Sequence, residues 1–560
     1  MEQLGRLSFL PVDGAAALFT PAFASFFVPL HDRFAPRIAG LRRKRAEVLH
    51  RALYQHQPPG PVPHDPVVSG NWQVPPLPAE LLRPGIEITG PVSATSMAIN
   101  ALNPVAEGGR AEGYLDDDED SAGHRLTDTV RATHNRLDAV LGRLAFTNPE
   151  NGREYKVAPG ELPFFMHRER GLALDEPDVT IDGTPVAACL LGTCLTLFYP
   201  GVAQAERGQG IYFYLPKLET AEEAGFWRDF FDATRAASPT LAQATLRAIL
   251  LVESLPLAYQ MEEALYALGP YAAGLNAARW DFKASILEFI MADPESVWPD
   301  RFGVDIKTTE FIANIFRRLV ATCLKHGAVA IGGMATALPA RDEAVNQAAA
   351  ASIRADKEWE ARQGFTRAWV AHIYHMKTAA EPFKALRASE WGSTPEMHNP
   401  DNYPIQLRVP EGPITLEGSR RNVRMMIEYV EGWLGGRGAK GIDTLAGRPG
   451  VHPALMEDLA TGRISVAQTA QRILHAPVAA DTGETHGFPM IKRLFGEELA
   501  DILRLGRASG MPDPETEERY RKAAQVSMHW VKNYTELNFR SLGSYTRPEL
   551  DALAAAPDPF

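Results

Sequence analysis

Between Ile86 and His372 eight short apolar runs alternate with longer stretches of helical periodicity. That alternation restricts the chain to an α/β fold in which helices cover a parallel sheet. The runs fall at residues 86–90, 113–117, 163–168, 211–216, 248–253, 274–281, 328–333 and 368–372. Eight of them favour closure into a (β/α)8 TIM barrel over an open sheet.

A barrel builds its sites at the C-terminal ends of its strands, so polar residues should gather there. The second run leads into Asp116-Asp117-Asp118-Glu119-Asp120, the third into His167-Arg168-Glu169-Arg170, and the fourth into Lys217. The fifth delivers Glu253 and the sixth ends in Arg279-Trp280-Asp281. The seventh ends in Gly332-Gly333, where absent side chains would let a ligand approach the backbone. Glu253 and Asp281 would emerge at one face, and two oxygen ligands there suit a hard cation such as Mg2+. On spacing alone a structural reading stays equally open, with Glu253 capping a helix and Asp281 paired with Arg279. The five adjacent acids read as a solvated loop or helix start before they read as metal ligands. Lys217 reads as a contact to phosphate or carboxylate, or as a partner of Glu219.

The flanks differ in character. Residues 1–56 are expected to be helical, with an apolar pattern through Phe23, Phe26, Phe27, Leu30, Phe34, Ile38 and Leu41. A proline-rich connector follows, so 1–80 is expected to form an accessory layer, 81–385 the barrel and 386–560 a C-terminal helical domain. The net charge of −12 gives no broad basic excess, which argues against nucleic acid as a partner. The cluster Arg42-Arg43-Lys44-Arg45 lies in a helical pattern and reads as a solvated helix face. The three cysteines, Cys189, Cys194 and Cys323, form no CxxC pair, so a zinc site or disulfide framework is not expected and a reducing cytoplasm fits. No run reaches the length of a membrane span, and no membrane partner is expected.

Several stretches together resemble malate synthases of the A isoform type. They are NWQVPPLPAELLRPGIEITGPV, INALN, LPFFMHRERG, IYFYLPKLE, VESLPLAYQMEE, AGLNAARWDF, TCLKHGAVAIGGMA, WVAH, RRNV and LMEDLATGRISVAQ, in a consistent order from about residue 10 to 475. The resemblance implies a barrel with an N-terminal helical clasp and a C-terminal helical plug. It also implies a Claisen-type condensation of acetyl-CoA with glyoxylate, followed by hydrolysis to malate and CoA. Glu253 and Asp281 would then hold Mg2+, Asp458 would be the base, and Arg168 would hold the enolate oxygen with Arg170 as the nearby fallback. Lys217, Ala278, Arg279, Trp280, Gly332, Gly333 and Met334 would surround the small-molecule substrates. Taken alone, Asp458 reads as a helix cap in MEDLATG, and Arg168 as a surface partner of Glu169 or Asp175.

The chain also departs from that family pattern. The family's arginine, proline, arginine, glycine, tryptophan, histidine run is Arg168-Glu169-Arg170-Gly171-Leu172-Ala173 here, and a glycine expected before the metal aspartate is Ala278. The family's alanine, aspartate, phenylalanine, glutamate, aspartate pattern is replaced by the five acids. After Gly364 a histidine, aspartate, glycine, threonine run is replaced by Phe365-Thr366-Arg367-Ala368, and the proline after His372 by Ile373. These changes are expected to surround the substrate sites while sparing the metal ligands and base. A different 2-oxo acid, a longer acyl-CoA, or a thioester presented on a carrier protein would each fit. A 3-hydroxyacyl-CoA lyase or thioesterase is the alternative reaction, and a non-catalytic binding paralogue the third reading.

Overall fold

The computed structural model describes residues 1–105, 109–149, 151–389, 391–442, 453–508 and 514–560. Its centre is a closed barrel of eight parallel strands: β1 (Gly85–Gly90), β2 (Gly113–Asp117), β3 (Phe164–Arg168), β4 (Ile211–Leu215), β5 (Leu246–Val252), β6 (Ala272–Ala277), β7 (Val329–Ala335) and β8 (Arg367–Val370). Each pairs with the next in sequence, and β8 pairs with β1, from Arg367 opposite Gly85 to Val370 opposite Ile88, to complete the circle. Helices cover the outside, so a strand such as β5, LRAILLV, is apolar on both faces and almost wholly buried. The barrel interior is filled by Leu115, Met166, Tyr214, Ile249, Leu251 and Ile331 among others, which makes it a packed core.

At the barrel floor the interior holds a charge pair. Glu87 of β1 accepts from Arg367 Nε of β8 at 2.5 Å and from the Tyr214 hydroxyl at 2.7 Å, and Arg367 also donates to the Leu81 carbonyl. Arg367 therefore enters at the start of β8, at the opposite end from the catalytic face, and its neighbour Phe365 belongs to the main core. Phe365 and Arg367 thus support the barrel floor, and residues 365–368 do not line the cavity at the other end of the strands.

Several run boundaries shift, and two of the shifts bear on the site. The sixth strand stops at Ala277, and Arg279 opens a helix, which places Asp281 in a first helical turn rather than at a strand end. The seventh continues through Gly332 and Gly333 to Ala335.

The N-terminal segment is helical only from residue 15 onward. Glu2–Leu4 and Leu7–Phe9 are strands that join Asp175–Ile181 and Thr184–Ala187 in a small antiparallel sheet. The long helix α1 (Pro21–Gln55) starts with Thr20 as its cap and a proline in its first turn. Its aromatic stripe packs on helix Ala221–Ala236, where Phe34 lies edge-on to Phe226 and Phe230. The basic cluster on α1 is a solvated face only at Arg43 and Lys44, which are exposed. Arg42 donates to the Leu172 carbonyl and pairs with Asp175, while Arg45 pairs with Glu223 and donates to the Lys217 carbonyl. These bonds tie the clasp to the loops after β3 and β4. One stretch among the described residues, Ala188–Glu206, is long and apolar enough to cross a membrane; here most of it is buried against the rest of the protein, as a core helix is.

Helix α2 (Arg279–Phe289) lies within the barrel, between β6 and β7, and after the barrel comes the C-terminal domain with α3 (Leu416–Leu434), α4 (Leu459–His475), α5 (Phe488–Ala508) and α6 (Pro514–Thr535). Helix α4 is buried along nearly its whole length between α2, α3 and α6. Arg301 fixes it to the barrel side by donating to Asn422 and Ser465, and Gln468 donates to the Pro299 carbonyl. Helix α6 packs on α3 and α4, and its Tyr534 reaches Glu288 of α2 with a 2.9 Å hydrogen bond.

Candidate active site

A cavity of about 370 Å³ opens at the C-terminal ends of the strands, lined in part by Arg168, Glu253, Asp281 and Asp458. The registers explain the first three. Val252 pairs with Ala277, so Glu253 follows β5 beside the chain that turns into α2, and Asp281 arrives one helical turn later. Asp117 pairs with Arg168 across β2 and β3, and the guanidinium grips that carboxylate through Nε and Nη2 at 2.7 and 2.6 Å. Burial opposes charge on Asp117, but Arg168 and the Ser121 hydroxyl outweigh it and hold the carboxyl at about 2. A fixed ion pair of this kind leaves Arg168 oriented, with its guanidinium 5.5 Å from the Trp369 ring.

Asp458 comes from the plug. It caps α4, accepting from the Ala460 amide at 3.1 Å while its own amide donates to Thr461 Oγ1 at 3.0 Å. The residue that caps α4 also lines the cavity. Burial, with Asp120 and Asp281 nearby, pushes its carboxyl up to about 7.

Glu253, Asp281 and Asp120 offer carboxylate oxygens that all lie within 4.8 Å of one another. Asp120 belongs to the run of five acids that reads in sequence as a solvated loop; it is buried here, as are its four neighbours. Glu253 Oε2 and Glu119 Oε2 are buried without a hydrogen-bond partner among the described residues. An oxygen-only donor set with unsatisfied buried oxygens fits a hard divalent cation. Burial, reinforced by Asp281 and Asp120, pushes Glu253 up to about 7, whereas Lys217 and Arg463 overcome burial at Asp281 and hold it at about 2. Asp281 pairs with Lys217 and with Arg463, at 2.8 Å to the latter. Its sequence neighbour Arg279 instead pairs with Asp356 and Glu360.

Ala278, Arg279, Trp280 and Met334 line the same cavity, so the N-terminus of α2 opens on it. Other expected site residues lie elsewhere. Arg170 is engaged by Glu176 at 2.6 Å and by Thr129, away from the cavity. Gly332 and Gly333 make room for protein rather than ligand: an added Cβ would strike the Glu360 carboxylate at 2.3 Å or the Arg279 guanidinium at 2.4 Å. Lys217 approaches the carboxylates from a second cavity behind them. Asp120 and Arg463 complete the site, and neither stands out in sequence. For Arg463 the available signal was its position in the helix that Asp458 caps.

Fold and site together define a (β/α)8-barrel protein whose C-terminal helical domain brings the Asp458 carboxyl to a cavity beside an acidic cluster able to hold a metal. Residues 164–400 match the family model for the malate synthase TIM barrel domain, and residues 413–547 that for the malate synthase C-terminal domain. The chain is 35% identical over 494 residues to malate synthase of Myxococcus xanthus, covering 88% of this chain and 87% of that one. It is 33% identical over 479 residues to malate synthase A of Escherichia coli, covering 85% of each. Malate synthase of Streptomyces clavuligerus is 35% identical over 503 residues, with 87% of this chain and 88% of that one covered. The chain belongs to the malate synthase family.

Proposed function

We propose that the chain condenses acetyl-CoA with glyoxylate and hydrolyses the resulting thioester to malate and CoA, with Mg2+ held by Glu253, Asp281 and Asp120. The observation that carries this reading is the meeting of Asp458, from the plug, with Arg168 and the acidic cluster, from the barrel, around one cavity. The thioester methyl proton is weakly acidic, so its removal needs a base and a partner for the carbonyl oxygen at once. Asp458 takes that proton onto its carboxylate. Arg168, held in place by Asp117, receives the growing negative charge on the thioester oxygen without losing its own proton. The enolate carbon then attacks the aldehyde carbon of glyoxylate, the new alkoxide oxygen takes up a proton, and water adds to the thioester carbonyl so that CoA leaves as its thiol. Mg2+, when bound, supplies a Lewis acid for the aldehyde oxygen and neutralises the charge that develops there.

The plug excludes water while the enolate exists, because the helix that carries Asp458 is buried against α2. Among the family departures, Ala278 lines the cavity and is the residue placed to influence which 2-oxo acid fits. The partners of such an enzyme are small molecules, and the cytoplasm is the compartment that its unpaired, buried cysteines suit.

The deciding experiment is free CoA release by the purified protein with Mg2+ and acetyl-CoA, with and without glyoxylate, and with the product weighed by mass spectrometry. Glyoxylate-dependent release with malate as product is expected. Release that ignores glyoxylate, or that needs a different 2-oxo acid or a carrier-bound thioester, would replace this reading.

A further inference from the structure

The acidic cluster is a wall between two cavities. Glu253 and Asp281 line both the 370 Å³ substrate cavity and a second one of about 250 Å³ that reaches toward Ala173, Glu219 and Phe539. Lys217 lines only the second. From there its ammonium group contacts Asp281 Oδ2, lies 3.1 Å from both Asp120 oxygens, 3.3 Å from Glu119 Oε2 and 3.6 Å from Glu253 Oε2. The ammonium therefore rests on the same oxygens that form the metal cluster. A divalent ion held by those oxygens would place two further positive charges against the ammonium, and like charges at such a spacing repel strongly.

The backbone of Lys217 is fixed, while its side chain borders the open volume of the second cavity. Its amide donates to Glu253 Oε1 at 2.5 Å, its carbonyl accepts from Arg45 at 2.6 Å, and its φ of 55° lies in the left-handed region, a strained conformation held by those two bonds. Gly171 leaves space beside the side chain, since a Cβ there would come within 3.3 Å of Lys217 Cβ. The second cavity offers volume and a carboxylate, Glu219, to receive a displaced ammonium.

We propose that Lys217 is the resident counter-cation of this cluster, and that a divalent metal binds by driving the Lys217 ammonium back into the second cavity. The inference rests on the reading of Glu253, Asp281 and Asp120 as metal ligands. In the metal-free protein the tethered cation offsets the mutual repulsion of four buried carboxylates, which otherwise face a large desolvation cost. Metal and ammonium are then alternatives, and the affinity for metal is lowered by the work of moving the lysine.

The test is a titration of the full chain with Mn2+ alone, with free ion followed by electron paramagnetic resonance, and thermal melts in EDTA and in saturating Mn2+. Lys217→Met keeps the length of the side chain and removes the charge. It should bind Mn2+ more tightly than the natural protein, by on the order of tenfold, and melt lower in EDTA, with the melting difference erased by Mn2+. Equal or weaker Mn2+ binding by a folded Lys217→Met protein overturns the proposal. If that variant folds only with metal, Lys217→Arg decides, because a guanidinium that holds several carboxylates at once is harder to displace. Weaker Mn2+ binding by Lys217→Arg supports the proposal and unchanged binding overturns it. Glu253→Gln separates the two readings: retained Mn2+ affinity there removes the metal site itself, whereas lost affinity alongside an unchanged Lys217→Met removes only the role of the lysine.

Discussion

Arg463 Nη1 lies 2.8 Å from Asp281 Oδ1, so the helix that carries Asp458 is bonded to a carboxylate of the barrel's acidic cluster. The same guanidinium grips Glu288 through Nε and Nη2 at 2.8 and 2.5 Å, and Glu288 also accepts from Tyr534. Base, cluster and plug are thereby held in one network across the domain boundary. Arg463→Met should lower unfolding stability by about 3 kcal/mol, the low end for breaking a buried pair, because Arg463 remains 22% exposed. Denaturant melts measure it, and a loss below about 1 kcal/mol would mean that apolar packing alone docks the plug.

Asp458→Asn separates the two duties of that residue. Asparagine caps helices as well as aspartate, so the melting temperature should hardly move. Without a carboxylate to take the methyl proton, CoA release should fall by roughly 10³-fold, within the usual range for a general base. Undiminished turnover in this variant would remove Asp458 from the chemistry.

The barrel was legible in sequence because each of its strands is buried on both faces, which leaves continuous apolar runs bounded by polar residues. The sixth run misled at its end, since Ala277 and Ala278 continue the apolar character and hide where the strand yields to α2. Residues whose roles depend on distant partners were less visible. Asp120 looks like one acid among five until Arg168 and Lys217 fold over it. Gly332 and Gly333 suggest ligand contact locally, but the groups that claim their space, Glu360 and Arg279, come from other elements. The early strands Glu2–Leu4 and Leu7–Phe9 are too short to show periodicity, and they exist because Asp175–Ile181 offers an edge.

Glu457, beside the base, gives a pH dependence that can be isolated from the metal cluster. Burial, only partly relieved by Arg301, pushes its carboxyl up to about 7 from an ordinary 4.5. The folded state therefore holds a proton that the unfolded chain has already released, and stability falls as pH rises from about 4.5 to 7. Glu457→Gln removes that cost. It should leave stability unchanged at pH 5 and raise it by on the order of 2 kcal/mol at pH 8, after allowance for solvent relaxation around the group. A stability gain of the same size at both pH values would show that Glu457 is ionised throughout.

Arg367 tests whether a family departure is structural. It replaces an expected glycine-containing run, yet it lies at the barrel floor, bonded to Glu87, whose other partners are Tyr214 and Trp369. Arg367→Met leaves the Glu87 carboxylate buried without its cation, which should cost about 4 kcal/mol. Pairing it with Glu87→Gln removes the stranded charge while keeping an acceptor for Tyr214, so the double variant should recover at least half of that loss. Neither variant should alter the KM for glyoxylate, because the cavity is at the other end of the strands. A changed KM in the stable double variant would place Arg367 among the residues that choose the substrate, and the barrel floor would then have to be read as coupled to the site through Trp369.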